Sequence, residues 1–172
     1  MSKRTGDMVT FAEVFEEVGK DATRYLLMQR SADSPVDFDL ELAKTQSSEN
    51  PVFYVQYAHA RICSIFRKAG VERASVRGIT PIVEHSAERA LTMRLLQFDT
   101  AVWDTLDKYS PHRLCTYLFE LASEFSSFYE HCPVMRADSE EQKMSRLALC
   151  DFTARVMEQG LALLGIESPE QM

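Results

Sequence analysis

Several signatures of membrane proteins, secreted proteins and well-known enzyme classes are missing from this 172-residue chain. There is no run of about 18 uncharged apolar residues, and the N-terminus MSKRTGDMVT lacks the apolar centre of a signal peptide. A GxSxG motif, an HExxH motif and a glycine-rich phosphate loop are also absent. We therefore expect a cytoplasmic protein that does not cross a membrane and carries no catalytic constellation of these kinds.

Cysteine pairs and hairpin signals are absent as well. The four cysteines are Cys63, Cys115, Cys132 and Cys150. They lie far apart without a CxxC pair, which is typical of reduced core thiols. His59 with Cys63, and His131 with Cys132, lack the partner spacing of zinc sites, so we expect no metal site. No Asn-Gly or Asp-Gly hairpin turn occurs, which favours an all-α fold.

The clearest helix runs from Asn50 to Ala69, NPVFYVQYAHARICSIFRKA. It begins with a good N-cap followed by a proline at the first helical position. Three-and-four spacing places Tyr54, Tyr57 and Arg61 on one face. The opposite, core side carries Val52, Val55, Ile62 and Phe66. Two phenols and a guanidinium can stack on bases or hold phosphates, although half-buried tyrosines with solvated hydroxyls are the alternative.

Charge is unevenly distributed along the chain, whose net charge is −7. Residues 1–50 carry 6 basic and 10 acidic side chains, and residues 86–172 carry 8 and 14. Residues 51–85 reverse the balance, with 5 basic and 2 acidic side chains. The basic ones are Arg61, Arg67, Lys68, Arg73 and Arg77. Because a polyanion responds to the local field, this segment is a candidate nucleic-acid surface; an ordinary solvated basic face is the alternative.

Caps and apolar spacing predict the other helices. A capping box at Thr10 and Glu13 begins a short helix that Gly19 ends. Further helices are predicted from Asp21, after Asp39, from Thr80-Pro81, and over 87–108, 111–132 and 139–164. The last helix has a seam of Leu147, Cys150, Ala154, Met157, Leu161 and Leu164. Such a seam predicts an antiparallel helical bundle, here preceded by a short N-terminal connector.

Longer stretches carry a family resemblance. MSKRTG, EEVGKDATRYLLMQRSADSPVDFDLELAK and NPVFYVQYAHARICSI resemble the C-terminal part of bacterial arginyl-tRNA synthetases, which are class I enzymes. PHRLCTYLFELASEFSSFYEHCPV and LALLGIESPEQM are similar to the DALR-type helical anticodon-binding domain of that family. The resemblance implies a connector over residues 1–45 and an anticodon-binding domain over residues 46–172.

The resemblance also implies a catalytic remnant. Met1-Ser2-Lys3 is similar to the end of the KMSK signature, so Ser2 and Lys3 would contact the phosphates of ATP in the intact enzyme. That enzyme would be an arginine-tRNA ligase that uses ATP and Mg²⁺. The HIGH motif and its nucleotide-binding fold are absent from this sequence. We therefore expect a fragment that binds no cofactor and is inactive alone, with the missing catalytic domain as one partner.

The other expected partner is the anticodon stem-loop of an arginine tRNA, rather than DNA or a membrane. The resemblance assigns tRNA binding to Tyr54, Tyr57 and Arg61, to Tyr117 and Phe128 or Tyr129, and to Met172. Tyr117 and Phe128 are equally suited to the core, because they lie on an apolar stripe. A helical protein-interaction module without RNA binding is the alternative function. A small free-standing enzyme has no supporting residues.

Overall fold

A computed structural model describes residues 10–34, 39–47 and 49–172 of the chain. Within these ranges it contains α-helices and two 3₁₀ turns but no β-strand, which confirms the all-α prediction. The α-helices are α1 (Phe11–Met28), α2 (Leu40–Lys44), α3 (Pro51–Ala69), α4 (Ser86–Leu95), α5 (Phe98–Asp107), α6 (His112–His131) and α7 (Glu140–Leu163). The 3₁₀ turns are Arg73–Val76 and Val134–Arg136.

Local capping fixes most helix boundaries where the sequence predicts them. The capping box of α1 forms, with Thr10 Oγ1 accepting from the Glu13 amide at 3.3 Å. Asn50 caps α3, and Gly70 ends it in the left-handed conformation with φ 64°. The Ser139 hydroxyl caps α7 by accepting from the Gln142 amide at 3.1 Å. Each cap satisfies amides or carbonyls that the helix itself leaves unpaired.

Helix α6 lies at the centre of the bundle and packs against α3, α4, α5 and α7. All six predicted seam residues of α7 are buried, which confirms the seam. Gly160 allows close approach of α7 to α6, because a Cβ there would lie 2.6 Å from Leu118 Cδ2. The four cysteines are free and buried, as predicted.

Two helix predictions are wrong in the region before α6. No helix forms directly after Thr80-Pro81: the Ile82 amide donates to Ser145 Oγ at 2.8 Å, and α4 begins only at Ser86. The single helix expected over 87–108 is divided at Leu96 and Gln97. The Tyr117 hydroxyl donates to the Arg94 carbonyl at 3.0 Å and so satisfies a carbonyl where α4 ends.

The N-terminal helix shares the core of the bundle. Helix α1 is kinked at Gly19, where φ is 81°, and its second part packs against α3. Tyr25 is buried, and its hydroxyl donates to the Cys115 carbonyl at 2.8 Å. A domain division at residue 45 stays a prediction, but α1 and the bundle bury apolar surface together.

A buried ion pair joins α4 to α7 and to the segment after α6. Arg146 Nε donates to Glu88 at 2.8 Å, and Arg146 Nη1 donates to the Pro133 carbonyl at 3.2 Å. The second carboxylate oxygen of Glu88 accepts from the Glu84 and His85 amides. Burial raises the pKa of Glu88, but these donors outweigh it and hold the pKa below its ordinary value. The pair therefore fixes Pro133 in place.

Candidate nucleic-acid interface

Helix α3 presents one face to the core and another to a surface groove. Its predicted core residues Val52, Val55, Ile62 and Phe66 are all buried. Tyr57 and Arg61 lie one helical turn apart on a different face and line the groove. Arg67 and Lys68, in the last turn of α3, line it as well. The groove side of α3 therefore combines an aromatic ring with three cations.

The groove lies between α3, the end of α6, the 3₁₀ turn Val134–Arg136 and the last two residues of the chain, and its volume is about 850 Å³. Its charged side chains are Arg61, Arg67, Lys68, Arg136 and Glu130. Four cationic side chains and one acidic side chain make the groove locally basic in a chain whose net charge is −7. Local charge of this kind attracts a polyanion even when the whole molecule is acidic.

The guanidinium of Arg61 lies between two tyrosine rings. Its Cζ is 4.6 Å from the centre of the Tyr57 ring and 4.9 Å from the centre of the Tyr129 ring, within cation–π range. Arg61 Nη2 also donates to the Tyr57 hydroxyl at 2.7 Å. Tyr57 and Tyr129 remain 39% and 38% exposed, so both rings keep accessible surface in the groove. Restrained, accessible rings are the surfaces on which unpaired bases stack.

Tyr54 does not line the groove. Its hydroxyl donates to Ser126 Oγ at 3.1 Å, and its ring lies 5.2 Å from the Phe119 ring, measured between centroids. These contacts join α3 to α6 and leave the Tyr54 side chain half-buried. A contact between Tyr54 and RNA stays a prediction.

Tyr117 and Phe128, for which the sequence left a core role open, lie in the core. Tyr117 is 4% exposed, and burial raises the pKa of its phenol. Phe128 is fully buried against Phe125. Neither side chain lines the groove, so Tyr129 takes the place of Phe128 as the aromatic residue that α6 contributes to it.

Met172 lines the groove together with Gln171. The resemblance assigned Met172 to tRNA binding, and that assignment stays a prediction. Its position depends on long-range contacts of the preceding residues, such as the 2.9 Å hydrogen bond from Gln56 Nε2 to the Glu167 carbonyl.

Sequence reasoning missed Arg136. The only signal for it was a cation just beyond the helix-ending Pro133 and close to Tyr129. Arg73 and Arg77, by contrast, belong to the basic segment but face α7, where their Nε atoms lie 3.0 Å and 3.8 Å from Asp151. Pairing with an acidic side chain therefore separates them from the cations of the groove.

Ser2 and Lys3 lie outside the described residues, so their contact with ATP stays a prediction. Across residues 10–34, 39–47 and 49–172, no three side chains of His, Cys, Asp or Glu converge as a metal-binding group. In the same ranges, every helix is too short or too polar to cross a bilayer.

Comparison with known proteins gives one consistent family. The arginine–tRNA ligase 1 of Halalkalibacterium halodurans is 45% identical over 175 residues, with 100% of this chain and 31% of the relative covered. The arginine–tRNA ligase of Heliobacterium modesticaldum is 45% identical over 181 residues, covering 100% of this chain and 32% of the relative. The chain thus spans about a third of the length of these curated relatives.

Two solved structures are also similar to this chain. The arginyl-tRNA synthetase of Thermus thermophilus superposes with a TM-score of 0.78 and 33% identity, covering 96% of this chain and 28% of the other. A Campylobacter jejuni protein assigned as an arginyl-tRNA synthetase gives a TM-score of 0.89 and 27% identity, covering 99% and 37%. The family model of the DALR anticodon binding domain matches residues 55–172. That match covers most of the chain, including every residue that lines the groove, and the chain therefore belongs to the DALR anticodon-binding domain family.

Proposed function

We propose that the chain binds the anticodon stem-loop of an arginine tRNA in the groove. The observation that carries the proposal is the Arg61 guanidinium held between Tyr57 and Tyr129, with further cations around it. Unpaired loop bases stack on aromatic rings, whereas phosphates pair with guanidinium and ammonium groups. The family match and the names of the relatives support tRNA as the ligand and arginine as the amino acid.

The groove offers two kinds of contact within one site. Tyr57 and Tyr129 provide ring surface for bases, and the donors of Arg61 lie between them, where they can reach a base edge. Arg67 and Lys68 are exposed at the end of α3, where their cationic groups can contact the RNA backbone. The contacts of Tyr57, Tyr129 and Arg61 with bases give sequence preference. The contacts of Arg67 and Lys68 with phosphates give affinity that falls with salt.

For a longer protein that contains this chain, we propose the activity named for its relatives. It would attach arginine to tRNA with ATP and Mg²⁺ in the cytoplasm, and Ser2 and Lys3 would contact the ATP phosphates. Residues 1–45 would connect the catalytic domain to an anticodon-binding domain over residues 46–172. We expect no aminoacylation by the chain alone, because its sequence lacks the HIGH motif that would help to position ATP.

A protein-binding surface is the second candidate function, and one observation favours it. Trp103 and Leu106 lie one turn apart on α5 and are 67% and 64% exposed. Met93 on α4 and Leu96, directly after α4, are exposed as well. Exposed apolar groups of this size are typical of protein contacts. This surface would serve a protein partner in addition to the groove or instead of it.

The decisive experiment compares two RNAs at one stated salt concentration. The Kd of the chain is measured for an arginine tRNA and for the same tRNA with its central anticodon base changed. We expect tighter binding of the unchanged tRNA, because an edge contact is lost in the other. Equal affinities for both RNAs would contradict anticodon reading by the chain.

Salt dependence then separates the groove from a protein-binding surface. Phosphate contacts release counterions, so the affinity should fall steeply with added salt. Arg136→Ala should lower the slope of log K against log salt by about 1, because one phosphate contact is lost. Arg113→Ala is the matched control, since Arg113 lies at the other end of α6 beside Asp104. Equal slopes for the two variants would remove Arg136 from the RNA surface.

A further inference from the structure

The last residues of the chain cross α3 before they enter the groove. Gly165, with φ 69°, turns the chain at the end of α7, and we call residues 166–172 the C-terminal tail. The tail presents successive carbonyls to one face of α3. Gln56 donates to the Glu167 carbonyl at 2.9 Å, and Arg67 donates to the Glu170 carbonyl at 3.2 Å. Gln171 and Met172 follow directly and line the groove.

His59 makes the buried contact in the middle of this crossing. Its Nδ1 lies 2.9 Å from the Pro169 carbonyl, and the residue is only 1% exposed. The Gln56 and Arg67 contacts, in contrast, are solvent-exposed. A hydrogen bond shielded from water is more costly to break than an exposed one, because its acceptor is left unpaired. Of these three hydrogen bonds between α3 and the tail, the one made by His59 is therefore the hardest to break, while Ile166 holds the start of the tail in the core.

The other ring nitrogen of His59 is anchored to α7. Nε2 lies 2.9 Å from Glu158 Oε1, and Arg73 Nη1 donates to the same oxygen at 2.6 Å. Cys63 Sγ lies 3.9 Å from Nε2. Because both ring nitrogens face oxygen acceptors, only the imidazolium can donate at both positions. His59 thus links α7 to the tail through one charged side chain.

The pKa of His59 agrees with this geometry. Burial lowers the pKa, but contacts with Cys63, Glu158 and Pro169 raise it more, to about 9. The groups that face the ring are Glu158 from α7, Arg73 from the 3₁₀ turn Arg73–Val76, Cys63 from α3 and the Pro169 carbonyl from the tail. The ring is therefore charged at neutral pH, where it holds the tail most strongly.

We propose that His59 is a positioning residue for RNA binding, which holds the tail on α3 so that Gln171 and Met172 close one end of the groove. This role rests on the proposed function, since His59 itself does not line the groove. A tail that leaves α3 would remove that part of the lining. The apparent affinity for RNA then falls by the fraction of molecules whose tail is in place.

Two substitutions separate the two hydrogen bonds of the ring. The amide nitrogen of asparagine falls close to the Nδ1 position, so His59→Asn keeps a donor for the Pro169 carbonyl. The glutamine amide falls close to the Nε2 position, so His59→Gln keeps the contact with Glu158 and loses the hydrogen bond to the Pro169 carbonyl. We expect His59→Gln to speed hydrogen exchange of residues 166–172 and to weaken tRNA binding about tenfold, equivalent to a tail in place about a tenth of the time. His59→Asn should retain most of both properties.

A change of background distinguishes positioning from a general loss of structure. In a chain that also carries Gln171→Ala and Met172→Ala, His59→Gln should weaken tRNA binding no further, because the residues it positions are gone. The proposal would be overturned if His59→Gln weakened tRNA binding tenfold in both backgrounds. It would also be overturned if hydrogen exchange of residues 166–172 were unchanged in His59→Gln. If the wild-type chain does not bind arginine tRNA, the proposed function fails, and unchanged tail exchange would still overturn the part of the proposal that concerns the tail.

Discussion

The groove and helix α5 both expose aromatic side chains to solvent, but the surroundings of these side chains differ. In the groove, Tyr57 and Tyr129 enclose Arg61, and most of the charged side chains nearby are cations. On α5, Trp103 is more exposed than either tyrosine, but three of the four charged side chains from Phe98 to Lys108 are acidic. Phosphates are attracted to the first surface and repelled from the second. Exposed aromatic rings therefore indicate RNA binding only where basic groups surround them.

The largest effect is expected beneath the groove, where Phe128 and Tyr129 are neighbours with opposite environments. Phe128→Ala should lower the free energy of unfolding by about 3–5 kcal/mol, because it leaves a cavity in the core. Tyr129→Ala should lower it by less, since the ring is 38% exposed, and should act mainly on RNA affinity. Urea unfolding of both variants measures the difference. Equal destabilisation would show that the tyrosine is a core residue too.

The second-largest effect is expected for the ion pair between Glu88 and Arg146, which holds Pro133 at the edge of the groove. Glu88→Gln removes the charge that compensates buried Arg146 and should cost about 3 kcal/mol of stability at pH 7. The pKa of Glu88 is lower in the folded chain than in the unfolded one. Its contribution is therefore complete above the unfolded value of about 4.3 and is lost as the pH falls through the folded value.

Urea unfolding between pH 7 and pH 3 checks this linkage. The difference in stability between the wild type and Glu88→Gln should shrink as the pH falls. Glu120→Gln is the control, because Glu120 pairs with Arg94 on a more exposed part of the surface. This substitution should change stability by less than about 1 kcal/mol. A stability difference for Glu88→Gln that is constant over this pH range would contradict the depressed pKa.

Local signals in the sequence predicted much of this scaffold. Asn50 and Pro51 marked the start of α3, Ser139 marked the start of α7, and the α7 seam was read from its spacing alone. The non-helical segment after Pro81 was missed because its hydrogen bond to Ser145 spans 63 residues of the chain. Such a contact leaves no periodic signal in the sequence.

The site was only partly predictable for the same reason. Tyr57 and Arg61 are a turn apart on a helix that the sequence predicts, so their shared face follows from helical geometry. Their approach to Tyr129 and Arg136 depends on how α6 packs against α3, which spacing does not determine. The sequence could not separate Phe128 from Tyr129, because consecutive residues of an amphipathic helix can both border its apolar stripe.

The third effect tests the two aromatic surfaces with the same substitution. Tyr57→Ala in the groove should weaken arginine tRNA binding by about 1–3 kcal/mol, because a stacking surface is lost. Tyr109→Ala, just beyond α5, removes a ring that is 89% exposed and should leave the affinity unchanged. Both Kd values are measured at the same salt concentration, and urea unfolding confirms that both variants are folded. Similar losses for the two variants would abolish the distinction between the surfaces.

The smallest effect is expected for Trp103→Ala. Its ring is largely solvated, so stability and tRNA affinity should each change by less than about 0.5 kcal/mol. Thermal unfolding and the same RNA titration measure both quantities. A larger loss of RNA affinity would extend the RNA surface onto α5.

Hydrogen exchange of the chain with and without an arginine anticodon stem-loop tests the central claim most directly. The groove account predicts slower exchange in residues 57–68, 129–136 and 166–172 when the RNA is bound, and unchanged exchange in α5, Phe98–Asp107. Protection confined to α5, with no change in the groove segments, would contradict it.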